Sequence, residues 1–238
     1  MKECIKRWLY LARYFKAKYL DTKKSYAHDG EDEKILELLG KVNTFIDIGA
    51  NDGLSSSNTL FFALRGATGV CLEPVNNIFQ RLQMLYRFNN RVTCLNYGIS
   101  DNDTETEIVT SGLLSYLPDT QDLEHRELVG QHFDHSLKKE TIRLITFDSL
   151  ARIVELPQVI DLLDIDVEGH ELQVLRSIDF NSYSFRLIIL ETHTFNEHGE
   201  VVWTHRDLSE MEAILGRHGY KCVFKSSANT FYMRQQKD

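Results

Sequence analysis

Two acidic stretches of this sequence carry side chains that could bind a cofactor and move a proton. The first is an apolar strand that runs into a glycine-flanked polar turn, Phe45-Ile46-Asp47-Ile48-Gly49-Ala50-Asn51-Asp52-Gly53. Glu73 ends the next apolar run about 20 residues later, the spacing of a nucleotide-binding β-α-β unit. Glycines let a ligand approach the backbone, and an acid at the second strand end can accept hydrogen bonds from ribose hydroxyls. The pattern predicts a site for an adenosine-bearing cofactor; the alternative is a tight turn without a ligand.

The charge of this turn discriminates between cofactors. A dinucleotide fingerprint has glycine where this chain has Asn51, because the pyrophosphate must approach the backbone there. Asp47 and Asp52 make the turn acidic, and it contains no lysine or arginine. It therefore suits a cation, such as the sulfonium of S-adenosylmethionine, better than a pyrophosphate. The sequence predicts S-adenosylmethionine, with an NAD-dependent oxidoreductase on a related sheet as the alternative.

The second acidic stretch surrounds the ends of the predicted fourth and fifth strands. Asp166, Glu168, Glu191 and His193 should open onto the same crevice as the glycine turn. A hydroxyl nucleophile needs a base to take its proton, or a metal to lower its pKa. These four side chains are the catalytic candidates, and a magnesium or manganese ion that bridges the carboxylates is a variant of this hypothesis. Glu171 is expected only to offset the dipole of the following helix.

Alternating strand and helix patterns position both stretches. Strands are predicted at 44–48, 68–73, 91–97, 159–165 and 185–191, and helices at 32–39, 55–64, 76–88, 168–177 and 208–217. Two further strands, at 220–225 and 230–233, lie too close for a crossover and indicate a hairpin. The predicted fold is α/β, a mostly parallel seven-stranded Rossmann-like sheet with a C-terminal β-hairpin. Residues 101–139, polar and rich in histidine, are predicted to be a loop over the crevice that binds the acceptor.

The N-terminal residues form a separate feature. Apolar residues recur at helical spacing within 1–24, and lysine and arginine dominate the other positions. The predicted apolar face consists of Ile5, Trp8, Leu9, Ala12, Phe15 and Tyr19. We expect this face to pack on the domain; the alternatives are a peripheral membrane contact and a patch for an anionic substrate. The predicted organisation is a basic amphipathic helical extension, 1–40, and a cofactor-binding domain, 41–238.

Composition excludes some classes of protein. The chain has 238 residues, 42% of them hydrophobic, and a net charge of −8. A general nucleic-acid binder is not expected, since phosphate binding needs a basic surface. No apolar run could span a bilayer, and four cysteines without metal-type spacing favour a reducing compartment, so a cytoplasmic location is expected. The oligomeric state stays open.

Several motifs together resemble the FkbM family of S-adenosylmethionine-dependent methyltransferases. They are the glycine turn, Glu73-Pro74, Thr146-Phe147-Asp148-Ser149-Leu150 and Ile165-Asp166-Val167-Glu168-Gly169-His170-Glu171. The resemblance implies a class I methyltransferase fold and O-methylation of a hydroxyl on a sugar, glycan or small natural product. It places Asp166 and Glu168 at the reaction centre, Asp47, Gly49, Asn51 and Gly53 at the methionine end of the cofactor, and Glu73 at the ribose. Ala50, Pro74 and Ser100 complete the predicted set of cofactor-binding residues. The chain departs from the family at Asp164, where lysine is common, and a non-catalytic cofactor-binding protein is a further alternative.

Overall fold

The computed structural model describes residues 2–20, 25–111, 114–118, 138–195 and 201–235. The helices in these ranges are α1 (Lys2–Tyr19), α2 (Glu31–Leu39), α3 (Leu60–Leu64), α4 (Asn76–Leu85), α5 (Phe147–Ile153), α6 (Glu171–Ser177) and α7 (Leu208–Arg217). The strands are β1 (Thr44–Ile48), β2 (Thr68–Leu72), β3 (Val92–Leu95), β4 (Gly98–Ile99), β5 (Thr104–Ser111), β6 (Leu114–Tyr116), β7 (Lys138–Ile145), β8 (Val159–Ile165), β9 (Ser184–Glu191), β10 (His193–Phe195), β11 (Val201–Thr204), β12 (Tyr220–Lys225) and β13 (Asn229–Arg234).

Seven strands form one mostly parallel sheet in the order β3-β2-β1-β8-β9-β13-β12. Strand β13, the last one along the chain, runs antiparallel to both of its neighbours in the sheet, β9 and β12. The predicted fold class with its C-terminal hairpin is therefore confirmed. Ile48 at the end of β1 pairs with Leu72 of β2 and with Ile165 of β8. Three parallel strands therefore end at one edge of the sheet, and the residues that follow them meet there.

The apolar run of β8 forms a central strand that is buried from Ile160 to Ile165. Its two acids have different surroundings. Asp161 accepts hydrogen bonds from the backbone amides of Asn43 and Thr44 and pairs with Arg186, at the end of the sheet away from the crevice. Asp164 lies three residues later, at the crevice, with a side chain that is buried. Asp161 therefore ties strands together, whereas Asp164 belongs to the site.

The helix predicted at 55–64 begins only at Leu60. Ser56 has a φ of +54°, which a helix does not accommodate, and the Oγ of Ser57 accepts from the amide of Leu60 at 3.1 Å. Side chains of serine and threonine commonly compete in this way with the helical hydrogen bonds. Residues 55–58 are consequently an irregular segment at the crevice, rather than the first turn of α3.

The segment predicted as a loop at 101–139 contains regular structure. Strands β5 and β6 and the start of β7 lie within it, and with β4 they form a second, four-stranded sheet in the order β4-β7-β5-β6. Strand β7 buries Ile142 and Leu144 and exposes Thr141 and Arg143, the alternation of a strand with one solvent face. Residues 119–137, with His125, His132 and His135, lie outside the described residues. Strands β10 and β11 also pair as a small ribbon that the sequence patterns did not indicate.

Helix α1 packs on α4 through a face other than the predicted one. Leu11, Tyr14 and Ala17 are buried, and the ring of Tyr14 lies 6.1 Å from that of Tyr86 at the end of α4. For Leu9, Ala12, Phe15 and Tyr19 the expectation that the apolar stripe packs on the domain was wrong, because these four residues are exposed. The side chains of Ile5 and Trp8, the other two members, lie outside the described part of the structure. Within the described part of the chain, no helix is both long enough and apolar enough to cross a membrane.

Candidate active site

A cavity of about 310 Å³ opens at the sheet edge where β1, β2 and β8 end, and the four-stranded sheet covers one side of it. This volume lies at the lower end of the range for small-molecule sites. Most of the predicted site residues line it: Asp47, Gly49, Ala50, Asn51, Glu73, Pro74, Asp166 and Glu168. Ile108, Ile142 and Leu144 of the second sheet supply an apolar wall. The described part of 101–139 therefore lies over the crevice, as expected, although much of it is strand.

Glycine is required at Gly49 for two reasons. Its φ is +90°, and a Cβ atom there would lie 1.7 Å from the carbonyl oxygen of Asp166. The amides of Gly49 and Ala50 both donate to the carbonyl of Leu72, so the turn is fixed to the end of β2 as well. This close approach of three backbone segments forms the floor of the cavity.

Asp52 shapes the turn without lining the cavity. One carboxylate oxygen accepts from the amides of Leu54 and Ser55, and the other accepts from the hydroxyls of Ser55 and of Tyr10 in α1. The N-terminal helix thus contacts the cofactor turn directly. Asp52 was predicted to contribute charge to a ligand; the structure shows it satisfying backbone donors.

Gly53 also lies outside the cavity. A Cβ atom at Gly53 would lie 2.6 Å from Leu82 and 2.9 Å from Leu85, both on the buried face of α4. Gly53 therefore allows α4 to pack closely against the turn, whereas Gly49 allows the backbone carbonyl of Asp166 to approach it. Gly53 was predicted to hold the methionine end of the cofactor, but it is not among the residues that line the cavity.

Glu73 is the residue whose placement best fits a ribose. It follows β2, is buried, and accepts a 2.7 Å hydrogen bond from the amide of Val75. Burial raises its pKa to about 8, although backbone hydrogen bonds oppose the shift. A ligand with hydroxyl donors would satisfy this buried carboxyl group better than the apolar surroundings do.

Four acids converge at the ends of β1 and β8. Asp47 accepts a hydrogen bond from the hydroxyl of Thr59 at 2.5 Å, and Asp164 accepts one from the side-chain amide of Asn58 at 3.2 Å. Burial raises the pKa of Asp47 to about 6, and burial together with repulsion from Asp47 and Asp166 raises that of Asp164 well above its usual range.

The remaining two acids, Asp166 and Glu168, open into the cavity. The Asp166 side chain is accessible from the cavity. Desolvation by the protein around it, together with repulsion from Glu171 and Asp47, nevertheless raises its pKa to about 7. Burial and repulsion from Asp166 and Glu171 likewise raise the pKa of Glu168. Crowded carboxylates of this kind favour either a bound proton or a nearby cation, which fits a sulfonium. Among the described residues, no three His, Cys, Asp or Glu side chains are arranged as metal ligands.

Glu171 has a structural role that the sequence interpretation missed. It is fully buried, and one oxygen accepts from the amides of Val167 and Gly169 at 3.0 and 3.3 Å. Its other oxygen lies 2.8 Å from the Nε2 of buried His205. Glu171 therefore holds the turn that presents Asp166 and Glu168, in addition to starting α6.

His170 was not among the predicted catalytic residues, but it lines the cavity. Its Nε2 lies 2.9 Å from the Oγ of Ser100, and its buried Nδ1 has no hydrogen-bond partner among the residues that the structure describes. Ser100, predicted to contact the cofactor, lies outside the cavity lining and orients His170. The segment Ser55–Asn58 also lines the cavity and was missed, because it was assigned to a helix. Proximity of His170 to the acidic motif was the available sequence signal.

Glu191 and His193 do not reach the cavity lining. Burial and repulsion from Asp166, Glu168 and Glu171 raise the pKa of Glu191, so it is an electrostatic neighbour of the site. Both ring nitrogens of His193 have partners, the hydroxyl of the preceding Thr192 at 2.7 Å and, in the turn of the C-terminal hairpin, the Ser226 carbonyl at 2.9 Å. The expected convergence fails here because the amides of Thr192 and His193 bond to Ala228, which directs the chain toward the hairpin.

The strand order, the glycine turn and the acid after β2 fit the class I fold of S-adenosylmethionine-dependent methyltransferases. The model of the methyltransferase FkbM domain matches residues 47–222, and the chain belongs to this family. It is therefore an S-adenosylmethionine-dependent methyltransferase rather than an NAD-dependent oxidoreductase.

A solved structure of an FkbM methyltransferase shows the same fold at low identity. A methyltransferase FkbM from Methylobacillus flagellatus KT is 16% identical, with a TM-score of 0.50 over 81% of this chain; the match spans 43% of that protein. The magnesium protoporphyrin IX methyltransferase of Synechocystis PCC 6803, crystallised with S-adenosylmethionine, is 12% identical over 99% of this chain and 98% of that one, with a TM-score of 0.40. No curated protein sequence matches the chain.

Proposed function

We propose that this protein transfers a methyl group from S-adenosylmethionine to a hydroxyl of a sugar, glycan or small natural-product acceptor. One observation carries the proposal. A single cavity brings the cofactor turn and Glu73 together with three side chains able to accept a proton, Asp166, Glu168 and His170. An alcohol is a poor nucleophile until its proton has an acceptor, so a hydroxyl substrate is the one that needs these groups.

The cofactor would be held by the glycine turn and by Glu73. Gly49, Ala50 and Asn51 face the cavity from the end of β1, where the methionine portion would lie beside Asp47. Glu73 would accept hydrogen bonds from the ribose hydroxyls, with Pro74 beside it. When bound, S-adenosylmethionine supplies an electrophilic methyl group on a positively charged sulfur.

Asp166 is the first candidate to act on the acceptor. It is accessible from the cavity, and its pKa of about 7 suits an exchange of protons near neutral pH. In this role Asp166 takes the proton of the acceptor hydroxyl or orients that hydroxyl, and Glu168 supports it from the same turn.

His170 is a second candidate base, and the hydrogen bonds of Ser100 define which of its ring nitrogens carries the proton. The hydroxyl of Ser100 donates to Asp101 at 3.3 Å, so the Ser100 oxygen is left to accept from the Nε2 of His170. The proton then resides on Nε2, and Nδ1 presents a free lone pair. Burial lowers the pKa of His170, which keeps the ring neutral before it accepts a proton.

A screen with methyl-labelled S-adenosylmethionine tests the reaction class. Sugars, lipid-linked glycans and small hydroxyl compounds serve as acceptors, and amines and carboxylic acids of similar size serve as controls. Label should enter hydroxyl compounds and form methyl ethers. Transfer confined to amines or carboxylates would contradict the proposal, as would full S-adenosylhomocysteine binding without any transfer.

Two variants that remove a proton acceptor then separate the candidate bases. Asp166→Asn or His170→Asn should lower kcat by about 10²-fold for whichever residue is the base, while S-adenosylhomocysteine binding persists. The acidic limb of the kcat profile should lie near pH 7 for Asp166 and below about pH 6.5 for His170. His218→Gln, which replaces a histidine stacked on Phe180, is the matched control and should retain wild-type turnover.

Chelation tests the remaining variant, in which a divalent cation bridges the carboxylates. We expect turnover to survive EDTA. Loss of activity that magnesium or manganese restores would instead assign a cation to Asp166 and Glu168.

A cytoplasmic location is also proposed; the free thiols of Cys71, Cys94 and Cys222 support a reducing compartment.

A further inference from the structure

The outward face of α1 carries a concentration of exposed apolar side chains. Leu9, Phe15, Tyr19, Leu20 and Phe88 form this apolar patch, with exposed fractions of 52, 40, 67, 78 and 62%. Phe15 links the aromatic members: its ring centroid lies 6.1 Å from that of Tyr19 and 6.2 Å from that of Phe88. The other large exposed hydrophobic residues that the structure describes lie one to an element elsewhere, as on most protein surfaces.

The internal packing of α1 does not need this patch. Leu11, Tyr14 and Ala17 already bury the opposite face against α4, and Tyr10 bonds to Asp52. An aromatic cluster left in water is unfavourable unless another surface covers it. Leu9, Phe15 and Tyr19, which the sequence pattern assigned to the core, are therefore available for a partner.

Basic residues surround the patch and indicate the kind of partner. Arg13, Lys16 and Lys18 are exposed on α1, and Arg87 is exposed beside Phe88. The first three form no ion pair with any residue that the structure describes. The helix contains six basic residues and one acid, although the whole chain has a net charge of −8. In a symmetric dimer a second copy would set its own basic α1 against this one, which is repulsive, whereas an anionic lipid surface attracts lysine and arginine and accommodates aromatic rings at its headgroups.

Two of the basic residues on α1 also lie near the active-site cavity. Arg13 and Lys16 line a neighbouring cleft of about 400 Å³ with Leu54 and Ser56, and Ser56 borders the cofactor cavity as well. A lipid headgroup bound at α1 would lie next to the cofactor turn, because the hydrogen bond from Tyr10 to Asp52 joins this helix to the turn.

We propose that α1 and the adjoining end of α4 form a peripheral docking surface for anionic membranes, with the apolar patch entering the headgroup layer and the basic residues contacting lipid phosphates. The contact is interfacial, and it is reversible because salt screens its electrostatic part. This proposal is independent of the identity of the methyl acceptor.

Vesicle co-sedimentation of the full chain tests the proposal. The protein should pellet with equimolar phosphatidylcholine and phosphatidylglycerol vesicles, bind phosphatidylcholine alone at least tenfold more weakly, and dissociate as NaCl is raised. Phe15→Ser/Phe88→Ser should lower the partition coefficient about tenfold or more. Lys16→Gln/Lys18→Gln should lower it by roughly fivefold per charge, the effect of one basic residue near an anionic surface.

The matched control is Ile153→Ser/Val159→Ser, which removes two exposed apolar side chains from other elements and should bind like the wild type. S-adenosylhomocysteine affinity must be unchanged in every variant, so that a folding defect is recognised. Equal binding to both vesicle types, or wild-type binding by the Phe15→Ser/Phe88→Ser protein, would overturn the proposal. So would a concentration-dependent dimer in light scattering that this double variant abolishes, because a second copy would then cover the patch.

Discussion

Two glycines with nearly the same backbone angle allow the geometry of the cofactor turn to be tested by substitution. Gly49 has a φ of +90° and Gly66 has a φ of +92°. A Cβ atom at Gly66 meets nothing within 4 Å, whereas at Gly49 it would lie 1.7 Å from the carbonyl oxygen of Asp166. Gly66→Ala therefore measures the cost of positive φ alone, and Gly49→Ala measures that cost together with a collision.

The magnitudes follow from this difference. Ordinary contact begins near 3.4 Å, so the Asp166 carbonyl and residue 49 must separate by about 1.7 Å. The amide of Asp166 donates to Ile48 at 3.0 Å, and that hydrogen bond would not survive such a shift. We expect Gly66→Ala to cost about 1–2 kcal/mol of unfolding free energy. Gly49→Ala should cost about 2–4 kcal/mol more, from one lost hydrogen bond and overpacking.

Urea unfolding and calorimetry with S-adenosylhomocysteine provide the measurements. Gly66→Ala should bind the ligand like the wild type, whereas Gly49→Ala should lose at least tenfold in affinity because the cavity floor moves. Equal stabilities of the two variants, together with equal affinities, would refute the conclusion that the close approach of Gly49 to Asp166 builds the site.

Three further outcomes are expected. Glu73→Gln should weaken S-adenosylhomocysteine binding by about 1–3 kcal/mol in calorimetry, and unchanged affinity would remove Glu73 from the ribose site. Burial raises the pKa of Glu73 to about 8 and of Asp47 to about 6, so the folded protein binds more protons than the unfolded chain between about pH 4 and 8. The contribution of these two groups to the free energy of unfolding of the ligand-free protein is fully present below about pH 4 and is lost as the pH rises to 8. Denaturant midpoints that rise from pH 6 to 8 and do not change in Glu73→Gln would contradict this. Tyr10→Phe should cost about 0.5–1.5 kcal/mol of unfolding free energy and loosen the cofactor turn, seen as faster amide exchange at Leu54 and Ser55, whereas Tyr19→Phe on the exposed face should change neither.

The regular parts of the fold were predictable because their signals are local. Strands β1 and β8 occur where apolar runs end in the two motifs, and the short spacing before β13 required a hairpin. Parallel strands that follow one another end at the same edge, so the meeting of Gly49, Glu73 and Asp166 also followed from the sequence. Asp47, Asn51 and Glu168 were placed at the cavity for the same reason.

What the sequence could not determine depended on contacts between distant residues. Helical periodicity gave α1 an apolar stripe, but which face is buried depends on Tyr14 meeting Tyr86 and on Tyr10 reaching Asp52. His193 follows a strand end as Asp166 does, yet hydrogen bonds to Ala228 and Ser226 take it away from the cavity. His170 enters the site because Ser100, 70 residues earlier, holds its ring. Local pattern determines which residues can form a strand, a turn or a helix, whereas the orientation of a side chain is decided by the partners that the completed fold brings to it.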